Sequence, residues 1–342
     1  MEQKKVKEIL ELCFSGKKEN CVNGIDLRNK NLPTSLFRYR PLSMNNDYAI
    51  DEIMRDYYHL TSPSQYNDIN DSEPIIFSYY KLPEKDIEKY TNFYHQHFAI
   101  DKNKLFQALN SLTYWDELIS LLKNEIPDLD PKFFIKVEQQ RKDMKILLND
   151  KYRKLKEWYH DKIKICCFTE SNQNTAMWSH YANQYKGVCI EYNTNLIKLV
   201  KNSKYSFFPV YYFDSLEDKN SVLYSRYSNF DVNFTNITCV YDSGRISNEI
   251  ALKDYDVLED IMRGVPFYKT TEWSYEREWR IVFYDRYENI PKNIPFLPIR
   301  AVYMGKDISI DNKNQLIALA EKKKILLYEM QSTPSGIKFI RV

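Results

Sequence analysis

The hydrophobic residues of this chain change their spacing near residue 163, and that change constrains the fold more than any other feature. From 83 to 161 they recur at intervals of three and four, as in LFQALNSLTYWDELISLLKNE, which is typical of amphipathic helices. From 163 onward the apolar runs are short, as in IKICCFTE, which indicates buried strands. Because strands are predicted on both sides of 83–161, we predict a long helical insertion in a mixed domain.

Short runs rich in β-branched and aromatic residues predict the strands of a sheet around this insertion. Helical spacing also occurs at 3–13, at about 247–264 and at 312–323. We therefore predict a single α+β domain over 1–342, with a mostly antiparallel, mixed sheet as its core. The predicted strands are 35–42, 58–61, 163–170, 187–193, 207–214, 277–284, 299–305, 325–331 and 336–342.

Charge and cysteine usage argue against several functional classes. The 49 basic and 47 acidic residues leave a net charge of +2, so no global field attracts nucleic acid or a membrane surface. No apolar run approaches the roughly 20 residues that span a bilayer, and the N-terminus lacks the apolar segment of a signal peptide. The six cysteines form no C-x-x-C pair. We expect reduced thiols, a cytoplasmic location and no membrane partner.

Two stretches place charged residues at alternate positions, which share one face of an extended strand. In FRYR these are Arg38 and Arg40, and in WSYEREWR they are Glu276, Glu278 and Arg280. One carboxylate can pair with the guanidinium while the other is left for acid–base work or for orienting a hydroxyl group. The alternative is an exposed strand whose alternating charges form cross-strand ion pairs.

The stretch TAMWSHYANQYKGVCIEY contains Trp178, His180 and Tyr181 close together. His180 can act as a general base or bond a ligand hydroxyl, while Trp178 or Tyr181 stacks on a flat ring. The alternative is a small aromatic core with a buried histidine that bonds a backbone carbonyl. We predict that this stretch forms one wall of a ligand pocket.

The polar loop TSPSQYNDIND is the remaining segment that could carry chemistry. It offers Thr61, Ser62, Asp68 and Asp71, and its two aspartates could bind a divalent cation. Loops rich in Asn and Asp are also common turn formers, which is the alternative. We assign no metal ligand from the sequence.

Taken together, these stretches resemble a bacterial family known as domain of unknown function two-nine-seven-one. The family has an aromatic- and arginine-rich first strand, a Cys-Phe-Ser/Thr strand that leads to Met-Trp-Ser-His-Tyr-Ala, and a Trp-x-Tyr-Glu-x-Glu-Trp-Arg strand. One departure is visible, because NDIND replaces the family's Asn-Asp-Pro-Phe-Asp and leaves only Asp71 of its last three residues in place. The matching segments are 37–40, 61–71, 167–170, 177–182, 186–192, 273–280 and 303–306.

The order of these motifs is similar to that of the arginine–serine–glutamate class of ADP-ribosyltransferases. This resemblance implies an enzyme that uses NAD as its substrate. It implies that Arg38 or Arg40 holds the phosphates and that Thr61 and Ser62 brace the nicotinamide pocket.

The same resemblance assigns the chemistry to the two glutamates. Glu278 holds the ribose 2′-hydroxyl as nicotinamide leaves, and Glu276 is its partner on the substrate side. A carboxylate suits this place because the transition state is oxocarbenium-like. Trp178, His180 and Tyr181 have no direct counterpart in that class, so they either line the pocket or belong to the scaffold.

Three functions remain open. The first is an ADP-ribosyltransferase or NAD-cleaving enzyme, acting as a toxin or phage-defence effector on a macromolecular acceptor, which requires Arg40, Ser62 and Glu278 to converge on one cleft. The second is a nuclease or nucleotide hydrolase that uses a divalent metal with the carboxylates and His180. The third is a non-catalytic nucleotide-sensing or interaction module, which requires an ion-paired Glu-x-Glu row and no deep cleft.

Overall fold

The computed structural model describes most of the chain and confirms the α+β fold class. The described residues are 1–15, 17–42, 48–68, 70–72, 82, 84–111, 114–195, 205–215, 218, 264–284, 293–294, 297–334 and 336–342. The helices are α1 (Gln3–Cys13), α2 (Lys18–Asn31), α3 (Tyr48–Arg55), α4 (Glu84–Phe98), α5 (Lys102–Leu109), α6 (Tyr114–Glu125), α7 (Pro131–Lys162), α8 (Thr175–Tyr181) and α9 (Ile310–Lys323).

The strands form one large sheet and two small pairs. They are β1 (Ser35–Arg40), β2 (Tyr58–His59), β3 (Ile163–Thr169), β4 (Val188–Asn193), β5 (Tyr205–Pro209), β6 (Tyr211–Phe213), β7 (Tyr268–Thr270), β8 (Glu278–Tyr284), β9 (Asn293–Ile294), β10 (Ile299–Met304), β11 (Leu326–Thr333) and β12 (Gly336–Arg341).

The large sheet has eight strands in the order β12-β11-β10-β4-β1-β3-β8-β5. Neighbouring strands are antiparallel except β10 and β11, which are parallel. Helix α9 connects those two strands, as a parallel pair requires a crossover. The mostly antiparallel, mixed sheet that we predicted is therefore confirmed.

Alternate side chains of the central strands contribute to two hydrophobic cores, one on each face of the sheet. In β4, Val188, Ile190 and Tyr192 belong to the first core, which also contains apolar residues of α3 and α9. Cys189, between them, belongs to the second core together with Trp178 of α8. This arrangement follows because successive side chains of a strand point to opposite faces.

Two of the sequence predictions need correction. The predicted strand 207–214 is two strands, β5 in the large sheet and β6 in a parallel pair with β7. The break follows Pro209, which has no N–H to continue a ladder. The predicted strand 58–61 is shorter, because only Tyr58–His59 pairs with β9. The predicted helix at about 247–264 lies, apart from its last residue, outside the described residues.

The helical segment at 83–161 contains α4 to α7, as its spacing predicts. The chain divides into two compact units, of which the first comprises Met1–Glu73, His160–Lys219 and Leu258–Val342. Helices α4 to α6, and α7 as far as Tyr159, lie in the second unit. This unit has its own apolar core around Leu105, Leu118 and Leu122. The single domain over 1–342 stays a prediction. Within the described residues, no helix has both the length and the apolar character needed to cross a bilayer.

Candidate functional site

A pocket opens in the first unit where the large sheet is incompletely paired. Strands β3 and β8 pair along seven positions, from Ile163 to Thr169, whereas β1 and β3 pair only at Phe37 and Thr169. Further along β3, Thr61 takes the place of β1 and exchanges two backbone hydrogen bonds of 2.9 and 2.8 Å with Ile165.

The pocket has an empty volume of about 740 Å³, its open mouth included. Its enclosed cavity volume is about 180 Å³, below the roughly 300–1,000 Å³ of typical ligand pockets, so a ligand as large as NAD would also occupy the open mouth. Its lining comes from β1, β3, β7, β8, α8, the 3-10 helix before β8 and the loop after β2. The lining residues are Phe37, Arg38, Tyr39, Arg40, Thr61, Tyr66, Asn67, Asp71, Ile165, Cys167, Phe168, Thr169, Met177, Tyr181, Lys269, Glu276 and Glu278.

On the β1 side, two arginines share one buried carboxylate, an arrangement that we call the arginine cluster (Arg38, Arg40 and Glu52). Arg38 donates from Nη1 to Glu52 Oε1 at 2.8 Å, and Arg40 donates from Nε to Glu52 Oε2 at 2.8 Å. Tyr192 also donates its hydroxyl to Glu52 Oε1 at 2.8 Å. Burial works to raise the pKa of Glu52, but attraction to Arg38 and then Arg40 outweighs it and lowers that pKa. The arginine cluster therefore has a net positive charge.

Arg40 is the member of this cluster with unused hydrogen-bonding capacity. Its Nη2 lies 2.8 Å from Glu52 Oε2, which makes an ion pair but not a hydrogen bond. Among the described residues, this buried nitrogen has no hydrogen-bond acceptor. A buried donor without an acceptor is costly. The pocket side of Arg40 is therefore suited to bind an anionic group of a ligand.

On the β8 side, five buried charges form what we call the carboxylate cluster (Asp71, Lys269, Glu276, Glu278 and Arg280). The Lys269 ammonium lies 2.6 Å from Glu276 Oε2, 3.5 Å from Glu278 Oε2 and 3.4 Å from Asp71 Oδ2. Arg280 is 0% exposed and donates to both Asp71 oxygens, at 2.6 and 2.7 Å, and to Glu278 Oε2 at 2.5 Å. Three carboxylates thus face two cations.

The two glutamates of this cluster have different electrostatic surroundings. Burial, followed by repulsion from Glu278, raises the pKa of Glu276 to about 7. Burial also works to raise the pKa of Glu278, but attraction to Arg280 and Lys269 outweighs it and lowers that pKa. Among the described residues, every hydrogen bond to the Glu278 carboxylate is made to Oε2. A pair of acids with separated pKa values can combine proton transfer with fixed negative charge.

The backbone explains how both glutamates reach one pocket, and it corrects the predicted extended row. Glu276 ends a 3-10 helix, Thr271–Glu276, and the strand begins only at Glu278. Arg277 between them has φ 44°, in the left-handed region. The alternative of an exposed, charged strand face is also wrong, because Glu276, Glu278 and Arg280 are buried.

Of the three residues predicted from the aromatic stretch, only Tyr181 lines the pocket. Its hydroxyl donates to Glu276 Oε1 at 2.6 Å. Trp178 is 0% exposed in the second core and donates from Nε1 to the Asn172 carbonyl at 2.7 Å. His180 is exposed, with Nδ1 3.4 Å from the Tyr275 hydroxyl, and is not part of the pocket lining. Trp178 is thus scaffold, and His180 lies outside the pocket because α8 turns it toward solvent.

The polar loop contributes Thr61 and Asp71 to the pocket but not Ser62 or Asp68. The Ser62 hydroxyl donates to the His160 carbonyl at 2.6 Å, which directs it away from the lining. Asp68 accepts the Asn70 N–H at 2.9 Å, which is turn chemistry. Of the three residues expected to converge, Arg40 and Glu278 line this pocket and Ser62 does not, whereas the neighbouring Thr61 does.

The segment from the middle of α8 to the middle of β8 is similar to a known family. The family model described as "Protein of unknown function (DUF2971)" matches residues 177–281. Over these residues, the chain is similar to that family, as its motifs indicated. The matched segment includes Tyr181, Lys269, Glu276 and Glu278, whereas Arg40 lies outside it. No curated protein and no solved structure matched the chain.

The matched segment contains Glu276 and Glu278, which lie close to Asp71 around Lys269, as the metal-dependent alternative requires. However, the Lys269 ammonium occupies the position between these carboxylates where a cation would be coordinated. Among the described residues, no group of three or more His, Cys, Asp or Glu is placed to hold a metal ion. The geometry therefore favours proton transfer over metal coordination at this position.

Several residues of the site were not identified from the sequence. Lys269 follows an aromatic run without any recognisable motif, and Tyr66, whose hydroxyl lies 3.5 Å from Cys167 Sγ, belongs to the loop. Glu52 did carry a signal, because it interrupts the apolar face of α3 at a position that is 0% exposed. A charged residue on a buried face implies a partner of opposite charge.

Proposed function

We propose that this protein is an ADP-ribosyltransferase-like enzyme that cleaves the bond between nicotinamide and ribose in NAD. The observation that carries the proposal is one pocket with a positive arginine cluster on its β1 side and two glutamates on its β8 side. NAD carries anionic phosphates at one end of the reacting ribose and a cationic pyridinium at the other. The two clusters match that distribution of charge.

The geometry suggests a role for each residue. Arg40, and Arg38 behind it, hold a phosphate group through charge-assisted hydrogen bonds. Tyr181 and Tyr66 offer aromatic surface for the nicotinamide ring. The ionised Glu278 carboxylate lies near the ribose, where positive charge develops.

The reaction balances with these residues alone. The glycosidic C–N bond breaks, its electron pair moves to the ring nitrogen and neutral nicotinamide leaves. A hydroxyl or other nucleophile of the acceptor, or water, then attacks the oxocarbenium carbon. Glu276, which is partly ionised near neutral pH, takes the proton that the nucleophile loses. The products are nicotinamide and ADP-ribose attached to the acceptor or free in solution.

We propose that this reaction takes place in the cytoplasm. The same proposal includes a macromolecular acceptor for ADP-ribose and a role as a toxin or phage-defence effector. Cys166, Cys167 and Cys189 are thiols, in keeping with a reducing compartment. Consumption of NAD is an activity by which such effectors could act.

One observation favours a second candidate, a non-catalytic module that senses a nucleotide. Glu276 and Glu278 are both ion-paired, to Lys269 and to Arg280. Such pairing is also what a structural network produces. In that case NAD or a related nucleotide binds in the pocket and is released unchanged.

The test is calorimetric titration of the purified protein with NAD, followed by chromatographic detection of nicotinamide. We expect Arg40→Ala to weaken binding about tenfold or more, because a charge-assisted hydrogen bond is lost. We expect Glu278→Gln to bind NAD within a few-fold of the wild type and to release nicotinamide about 100-fold more slowly.

Matched controls are Arg300→Ala and Glu272→Gln, which remove an exposed arginine and an exposed glutamate outside the pocket lining. Binding without nicotinamide release in the wild type, in the presence of candidate acceptors, would favour the sensor. No binding heat at millimolar NAD would reject the NAD proposal.

A further inference from the structure

Lys269 is a buried cation that no sequence motif and no assigned role accounts for. It lies in β7, opposite Tyr212 of β6, outside the large sheet. Its side chain is 4% exposed, and its ammonium is 4.5 Å from the centre of the Trp273 ring. Its shortest contact with a carboxylate is the 2.6 Å hydrogen bond to Glu276 Oε2.

Glu276 is faced by charged or titratable groups from several elements. The ion pair with Lys269 and the hydrogen bond from Tyr181 take one carboxylate oxygen each. Glu278, Tyr212 and Tyr275 act at longer range, while Asp71 contacts Lys269 and Arg280 contacts Glu278. Together these groups are Lys269 of β7, Tyr181 of α8, Tyr212 of β6, Glu278 and Arg280 of β8, Asp71 of the loop after β2, and the adjacent Tyr275.

The charge balance shows what Lys269 does in this setting. With every group ionised, three carboxylates face two cations, so the carboxylate cluster has one negative charge in excess. Without Lys269, Arg280 would be the single cation for three buried carboxylates. Arg280 is directed to Asp71 and Glu278, so Glu276 would lose its nearest cation. Burial and repulsion from Glu278 would then keep Glu276 protonated.

We propose that Lys269 is a positioning residue that keeps Glu276 able both to release and to accept a proton near neutral pH. Lys269 does not react itself. Burial works to lower its pKa, but attraction to Glu278, Asp71 and Glu276 outweighs it and raises that pKa, so the amine stays protonated. Its importance for catalysis rests on the proposed function, in which Glu276 accepts the proton of the nucleophile.

The experiment follows the carboxyl carbon of Glu276 by NMR in protein labelled with ¹³C-glutamate, as a function of pH and without NAD. The signal is assigned as the one that Glu276→Gln lacks. In the wild type we expect a titration midpoint at about 7. In Lys269→Met we expect a midpoint about one to three pH units higher, because a cation in contact has been removed.

Two further variants separate charge from structure. Lys269→Arg keeps the positive charge and should titrate near the wild-type midpoint, whereas Lys269→Gln should resemble Lys269→Met. Lys313 of α9 lies 2.8 Å from Glu329 of β11 and is not a member of the carboxylate cluster. Lys313→Met should therefore leave the titration midpoint of Glu276 unchanged. Near-ultraviolet circular dichroism verifies that each variant folds.

An unchanged or lower midpoint in folded Lys269→Met or Lys269→Gln would overturn the proposal. A wild-type midpoint at the ordinary glutamate value of 4.5 would also overturn it, and this measurement tests the proposal even if both neutral variants unfold. Because NAD is absent, failure of the proposed function leaves this result intact. If nicotinamide release is observed, Lys269→Met should also shift the pH profile of kcat to higher pH with little change in KM.

Discussion

At the scale of single residues, the carboxylate cluster shows how a buried arginine fixes the geometry of a site. Arg280 bonds both oxygens of Asp71, which is 209 residues away along the chain, and also bonds Glu278. It thereby fastens the loop after β2 to β8, so that both segments line one pocket. The loop residue Asp71 is therefore best described as a partner of Arg280.

We expect Arg280→Met to destabilise the protein by about 3–5 kcal/mol, since it leaves Asp71 and Glu278 buried with fewer opposing charges. Urea denaturation followed by fluorescence measures this. Arg300→Met is the matched control, because the exposed Arg300 should contribute at most about 1 kcal/mol. Similar losses of unfolding free energy for the two variants would contradict the importance that we assign to the ion pairs of Arg280 with Asp71 and Glu278.

Glu276 should make stability depend on pH in a defined direction. Its pKa is raised in the folded protein from the ordinary value of 4.5 to about 7, so the unfolded chain loses this proton more easily. The stability that the protonated form contributes is complete below pH 4.5 and is lost as pH rises to about 7. The loss amounts to about 3 kcal/mol.

Glu276→Gln removes this titration. The difference in unfolding free energy between variant and wild type should therefore grow between pH 4.5 and 7 and become constant above that range. Urea denaturation at a series of pH values measures this, with the exposed Glu272→Gln as the matched control. An equal pH-dependent difference for both variants would contradict the assignment.

At the scale of elements, the turn after α8 determines how closely β4 and β1 approach. Asn183, Gln184 and Tyr185 all have positive φ, between 49° and 67°, which is uncommon for residues with a side chain. The turn ends at Gly187, where an added Cβ would overlap the carbonyl oxygen of Arg40. Glycine is required there because the two backbones are in contact.

We therefore expect Gly187→Ala to force β4 and β1 apart. The cost should be about 1–3 kcal/mol of stability, because a packed region must accept an extra group. Thermal unfolding measures the loss. The neighbouring exposed residue provides the control Lys186→Ala, which adds no atom to this contact. If Gly187→Ala were as stable as this control, the contact would not be as tight as the structure describes.

At the scale of the whole molecule, the two compact units have separate apolar cores. The lining of the pocket belongs entirely to the first unit. Leu122 is buried in the core of the second unit, and Leu36 is buried in the first core of the sheet. These two leucines allow the units to be perturbed one at a time.

We expect Leu122→Ala to cost about 2–5 kcal/mol locally, because it leaves a cavity. Amide hydrogen exchange should become faster in α4 to α6, while β3 and β8 keep their protection. Leu36→Ala is the matched variant and should reduce protection in the sheet instead. Equal loss of protection in both units from Leu122→Ala would show that they unfold together.

The sequence by itself determined the fold class, most element positions and several members of the site. Short runs of apolar, β-branched and aromatic residues predicted β3, β4, β8, β10, β11 and β12, because each strand has to present apolar residues to a core. The alternating charges of two motifs identified Arg38, Arg40, Glu276 and Glu278, all of which line the pocket. Such local patterns survive folding because they arise from the periodicity of the backbone.

Only the tertiary structure decided which side chains face the pocket and in which state they are charged. Trp178, His180 and Ser62 come from stretches that also supply pocket residues, yet they are directed to a core, to solvent and to a backbone carbonyl. The sequence did not identify Lys269, because only the tertiary structure places it beside Glu276. The physical reason is that burial and charge pairing depend on contacts between distant segments, and those contacts leave no mark on the local periodicity of the chain.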